Sequence, residues 1–97
     1  MLEEEREYME AVDAFYEVFN ALRKKYGLVM EGHFSIYPND EDWLAVWRTE
    51  HGRRTEMLFR ETGEDGAECY RKAAKDLRFW NSLKEEQEKE GRMAYVV

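Results

Sequence analysis

His51 and Gly52 separate two runs rich in aromatic and β-branched side chains, and that arrangement limits what residues 28–62 can form. Glycine supplies the positive φ that a tight hairpin turn needs, and the flanking alternation fits half-buried strands. A two-residue turn sets Glu50 opposite Arg53 and walks back through Arg48 with Thr55, Val46 with Met57 and Leu44 with Phe59. A five-residue turn from Pro38 to Asp42 sets Tyr37 opposite Trp43, Ile36 opposite Leu44 and Phe34 opposite Val46. Both turns place Phe34, Ile36, Leu44, Val46, Met57 and Phe59 on one face, and a slip of one residue would destroy that agreement. The other face then carries His33, Tyr37, Trp43, Ala45, Trp47, Glu56, Leu58 and Arg60. On it, His33 is expected across from Trp47, and Arg60 across from Trp43 and able to stack on its ring.

Residues 2–26 precede this sheet and read as a helix. Tyr8, Val12, Phe15, Phe19, Leu22 and Tyr26 recur at spacings of three and four, which aligns them on one stripe. Glu3, Glu4, Glu5 and Glu7 lie at the positive end of the helix dipole, Arg23, Lys24 and Lys25 at the negative end, and Gly27 is placed to stop the helix. After Gly63 to Gly66, Asp65 with Glu68 forms an acidic version of the capping box and starts a second helix. Its buried positions are expected at Tyr70, Ala73 or Ala74, Leu77 and Trp80. Asn81 and Ser82 leave open a kinked continuation or a third short helix, and residues 93–97 an edge strand or a frayed end. The expectation is therefore an α+β fold of order α-β-β-β-α. A three-stranded antiparallel sheet carries a long N-terminal helix and a C-terminal helix on one face, in a single domain spanning 1–97.

Charge narrows the function. Aspartate and glutamate outnumber lysine and arginine 22 to 15, a net charge of −7. Such a field disfavours direct binding to nucleic acid and to anionic membranes. One cysteine, Cys69, makes no internal disulfide and reads as an ordinary small buried residue near a helix start. The Glu-rich start lacks a secretory pattern and no apolar run approaches a membrane span, so a cytoplasmic protein is the expectation. The two histidines, His33 and His51, have no nucleophile at a telling spacing. Asp40, Glu41 and Asp42 are consecutive but lack the alternation and central glycine of a calcium loop. No catalytic residue, metal site or cofactor is therefore expected, and the reading is non-enzymatic.

The aromatic outer face is either covered by the flanking helices or the chain end, or it is the functional candidate. Trp43 and Trp47 are expected to anchor a partner, with Tyr37, Asp40, Glu41 and Asp42 at the rim. A homodimer through the same face would use the tryptophans equally well. A competing site is the basic stripe Arg71, Lys72, Lys75 and Arg78. The run Arg71-Lys72-Ala73-Ala74-Lys75 resembles the lysine-rich start of the second helix in double-stranded-RNA-binding domains, whose element order is similar. The resemblance implies phosphate contacts from that helix start. It covers five residues, and the Gly-Pro-x-His type loop of that family is absent.

A broader resemblance rests on size, acidity and architecture rather than on a motif. An acidic chain of 97 residues with a three-stranded sheet between helices is similar to small phage-encoded inhibitors such as anti-CRISPR proteins. That likeness implies a decoy that blocks a basic, nucleic-acid-processing protein such as a CRISPR effector or another nuclease. The carboxylates concerned are the Asp40-Glu41-Asp42 turn, Glu31, Glu50 and the first helical turns. A carboxylate can replace a phosphate oxygen in an arginine fork, and opposite charge speeds association. Immunity proteins and antitoxins use the same logic.

Overall fold

A computed structural model describes residues 2–94, and the side chains up to residue 91. The order is α1 (Glu3–Tyr26), β1 (Leu28–His33), β2 (Asp42–Glu50), β3 (Arg53–Gly63) and α2 (Gly66–Ala94). The three strands form one antiparallel sheet in the order β1-β2-β3. The chain is thus α+β with the expected element order.

The helix stripe buries as its spacing dictates. Phe15, Phe19, Leu22 and Tyr26 are buried, together with Ala11, and join Leu28, Leu44 and Val46 of the sheet and Tyr70, Ala73, Ala74 and Leu77 of α2 in one core. Tyr8 sits at the end of this stripe and stays 43% exposed. Gly27 ends α1 in the left-handed region (φ 65°), its N–H donating to the Arg23 carbonyl. Its own carbonyl accepts from the Thr49 N–H (2.9 Å) and hydroxyl (2.7 Å), which ties the helix end to β2. A Cβ at Gly27 would stand 2.9 Å from the Thr49 carbonyl, so both the turn and the close approach require glycine.

The hairpin between β2 and β3 turns through His51 and Gly52, both at positive φ (53° and 76°), with Glu50 opposite Arg53. That pairing matches the sequence expectation, but two irregularities follow it. Register shifts near Thr55 and Leu58 put Glu56 opposite Arg48, Met57 opposite Trp47 and Phe59 opposite Val46. Each bulge adds one residue to β3, and two of them restore the facing parity lost after the first. Phe59 therefore packs against the core as expected, whereas Met57 turns outward and is 44% exposed. Leu58, expected outside, is half-buried against the core at the second bulge. Glu56, also expected outside, lies across from Arg48, whose guanidinium stands over the buried Tyr26 ring.

The first turn departs further. β1 ends at His33, and residues 34–41 form a loop in place of a five-residue turn. Gly32, not Ile36, opposes Leu44; Met30, not Phe34, opposes Val46; His33, not Tyr37, opposes Trp43. The cause lies in side chains of the loop. Phe34 folds back over Gly32, where any Cβ would meet its ring at 2.7 Å, and stacks on Tyr70 at 5.4 Å. The Ser35 N–H donates to the Asp42 carboxylate (2.8 Å), its hydroxyl to Asp40 (3.0 Å), and Tyr37 N–H to the Ser35 hydroxyl (3.0 Å). These local bonds compete successfully with a longer ladder. Ile36, expected in the core, is 89% exposed.

The second helix starts as its sequence predicts, with Glu68 N–H donating to Asp65 (2.9 Å) and the Glu68 carboxylate accepting from Glu64 N–H (3.0 Å). It runs unbroken through Asn81 and Ser82, where the Ser82 hydroxyl donates to the Arg78 carbonyl (3.0 Å) and Asn81 donates to Glu85 (3.3 Å). Residues 93 and 94 continue the helix, so no strand begins there, and 95–97 lie outside the described residues. Tyr26 holds the far end of α2 through an edge contact with Trp80 (4.9 Å) and a hydrogen bond donated to Glu88 (2.8 Å).

Where α2 crosses β3, the Glu61 carboxyl faces Asp76. Burial, and then hydrogen bonding and repulsion from Asp76, raise the Glu61 pKa, partly offset by Lys72. Because the folded-state pKa is raised, protonated Glu61 contributes stability that is present below the ordinary glutamate value of about 4.3 and lost as pH rises through the raised one. Glu61→Gln should therefore raise the melting temperature at neutral pH, with the difference vanishing in acid. A lower neutral-pH melting temperature would contradict this pairing. In the core, Phe15→Ala and Val46→Ala should each cost roughly 2–4 kcal/mol in denaturant unfolding, since both side chains are fully buried.

Candidate interaction surface

Alternation along β2 decides what the open face presents. Leu44 and Val46 point into the helix-covered core, so Trp43, Ala45 and Trp47 point away from it. The neighbouring strands extend this face in three rows: Val29, Trp47 and Met57; Glu31, Ala45 and Arg60; His33, Trp43 and Thr62. Neither Trp43 nor Trp47 belongs to the core cluster that the helices join. Ala45, between the two tryptophans and flanked by Glu31 and Arg60, is nonetheless buried.

Each indole is half-buried and carries an arginine. Arg60 lies over Trp43 at 5.0 Å, reached diagonally from its partner Ala45 rather than from directly opposite. His33 stacks beside the same indole at 6.3 Å and 20°, the position expected of Tyr37. Arg54 lies over Trp47 at 5.3 Å and pairs with Glu31 at 2.7 Å, bridging β3 to β1. The Trp47 indole N–H is buried and meets no acceptor among the described residues.

The expected rim divides. Tyr37 is 67% exposed, and Asp40 and Glu41 are exposed in the loop beside the Trp43 end of the sheet. Asp42 is not a rim residue: it is buried at the start of β2, its carboxylate engaged by the Ser35 N–H. In its place the fold brings up Glu64 and Glu68. These line an open cleft of about 510 Å³ with Pro38, Asp40, Glu41, Thr62 and Lys72. Thr62 stands opposite Trp43, so this cleft adjoins the aromatic face. Four carboxylates and one ammonium give it a negative field. Backbone donation from Glu64, then Lys72, holds the Glu68 carboxyl below its usual range. Glu64 and Glu68 were hidden from sequence reasoning because they belong to the cap of α2, some twenty residues from Trp43.

The basic stripe does not assemble into one patch. Lys72 is drawn to the β3 side, paired with Glu68 (3.1 Å) and donating to the Thr62 carbonyl (2.9 Å). Arg71 lies on the α1 side, lining a groove with Glu7 and Glu10. Lys75 and Arg78 are exposed. Cys69 is fully buried and its thiol is pushed up to about 11, first by burial and then by Asp42, the opposite of a reactive thiolate. His51 occupies the hairpin turn, and no group of three or more His, Cys, Asp or Glu side chains suited to a metal occurs among the described residues.

A second apolar surface escaped the sequence pattern. Phe79 and Leu83, 66% and 44% exposed, border a groove of about 300 Å³ with Leu58, Phe59, Asp76 and Trp80. Among the described residues, no helix is long and apolar enough to cross a membrane. Compared with known protein families, curated proteins and solved structures, the chain has no significant match.

Proposed function

We propose that this chain is a non-enzymatic interaction protein that docks a basic protein partner on its open sheet face. The observation that carries the reading is the pair of half-buried indoles on one sheet face, the Trp43 row of which ends at Thr62, a residue that lines the carboxylate cleft. Tryptophan supplies a large contact area at low entropic cost, and rim carboxylates accelerate encounter with a cationic surface. The partner class is a nucleic-acid-processing protein, for instance a CRISPR effector or a toxin nuclease in the cytoplasm. On such a surface, Asp40, Glu41, Glu64 and Glu68 would take the arginine forks that hold phosphates. The net charge of −7 supports this class and opposes direct nucleic-acid binding.

The aromatic face and the basic helix make separable demands. With a purified effector nuclease that the chain inhibits, Trp43→Ala or Trp47→Ala should weaken binding about 30-fold, equivalent to roughly 2 kcal/mol, mainly through faster dissociation. Neutralising Asp40, Glu41 and Glu64 together should slow association and flatten its salt dependence. In gel shifts at about 150 mM salt, neither duplex nor single-stranded RNA should be retained. A shift abolished by Trp43→Ala and Trp47→Ala would instead make the face a base-stacking platform. One abolished by Arg71→Glu with Lys72→Glu would restore the helix-borne RNA reading.

A further inference from the structure

The two edges of the sheet are not equally protected. β3 carries two bulges and the charges Arg53, Arg54, Glu56, Arg60 and Glu61, features that discourage further strand pairing. β1 is regular, has no proline, and bears one charge, Glu31, already neutralised by Arg54. Its hydrogen-bonding sense follows from one bond. Thr49 N–H donates to the Gly27 carbonyl at 2.9 Å, one step beyond the first β1–β2 pair, Leu28 with Arg48. Pairs that exchange hydrogen bonds alternate along an antiparallel ladder, so Val29, Glu31 and His33 bond to β2. Leu28, Met30 and Gly32 direct their N–H and C=O groups away from the sheet.

We infer that β1 pairs with β1 of a second copy, antiparallel and about a two-fold axis at Met30, joining two sheets into one. This rests on the strand edge and not on the partner reading above. The register is selected by the side chains and the backbone together. Centred on Met30, Leu28 opposes Gly32 of the other copy, Met30 opposes Met30, and every outward N–H and C=O of these residues finds a partner. Leu28 then lies opposite Gly32, whose missing side chain is covered by the Phe34 ring of its own copy. A slip of one residue would set the helix-covered face of one copy against the open face of the other. A two-fold centred on Glu31 would bring like charges together, and one centred on Val29 would leave Gly32 unmatched.

Charge and area allow the same pairing. Each copy bears −7 overall, but this edge is locally neutral through the Glu31–Arg54 pair, so two copies meet where repulsion is least. Val29, Phe34, Ile36 and Tyr37, on and just after the strand, are 38%, 40%, 89% and 67% exposed. They offer at most on the order of 400 Å² of side-chain surface per copy, about half of the ~800 Å² that each partner buries in a standard interface, so the pairing is weak and concentration-dependent. The open faces of both copies would become continuous and present Trp43 and Trp47 twice.

The test combines mass with amide exchange. Sedimentation of the whole chain should show a concentration-dependent two-chain species. Met30→Pro should reduce it to one chain, since proline removes an outward N–H without breaking a bond to β2. Circular dichroism reports whether that variant keeps its fold. Amide exchange in the unmodified chain decides the matter independently. Between dilute and concentrated samples the Met30 and Gly32 amides should slow by about tenfold or more, in step with the dimer population, while Val29 and Glu31 stay protected throughout. A single-chain mass at every concentration would overturn the inference. So would a dimer in which Met30 and Gly32 exchange freely, or one lost on Trp47→Ala or Phe79→Ala but retained in folded Met30→Pro.

Discussion

The alternation of β2 is the constraint on which the rest of the molecule depends. As the central strand it must satisfy both faces at once: Leu44 and Val46 belong to the core beneath the helices, and Trp43, Ala45 and Trp47 are left on the other side. Both helices lie on one side because their apolar stripes can be buried only against each other and against those two residues with Leu28 and Phe59. An open aromatic face follows from that packing and is not an independent feature.

The arginines over the indoles show how the free protein tolerates its open face. Guanidinium groups above Trp43 and Trp47 reduce the apolar area presented to water while remaining solvated themselves. A partner would meet a surface of alternating rings and cations, bordered by carboxylates at the Trp43 end. The negative charge that dominates the composition lies mostly elsewhere, on α1, the 34–41 loop and the turn that caps α2. Long-range attraction and short-range contact are thereby assigned to different residues, which suits fast encounter followed by a specific dock.

Two local devices reshape an otherwise regular meander. The Ser35, Asp40 and Asp42 bonds shorten β1 and convert an expected turn into a loop, exposing Ile36 and Tyr37. The bulges in β3 twist that edge away from pairing and turn Met57 outward. One edge is thus guarded and the other is not. That asymmetry distinguishes β1 as the strand at which another chain can be added.

The amino-acid sequence alone determined the elements whose evidence is local. The α1 stripe, the Gly27 stop, the Asp65 and Glu68 cap, the His51 and Gly52 turn, and the two faces of β2 all rest on neighbours within a few residues, and all are present in the structure. Tertiary structure decided what depends on distant competition. Phe34 left the ladder because Tyr70, thirty-six residues away, offers a better-packed ring contact over the space that Gly32 leaves empty. Asp42 changed from rim to interior because Ser35 donates to it, and Glu64 and Glu68 joined the candidate rim because α2 begins beside the end of the sheet. The even-numbered slip in the first hairpin and the paired bulges in the second kept the face of each apolar residue in β2 correct while changing its partners. Period-2 patterning specifies which side a residue faces, and only long-range packing specifies which residue it meets there.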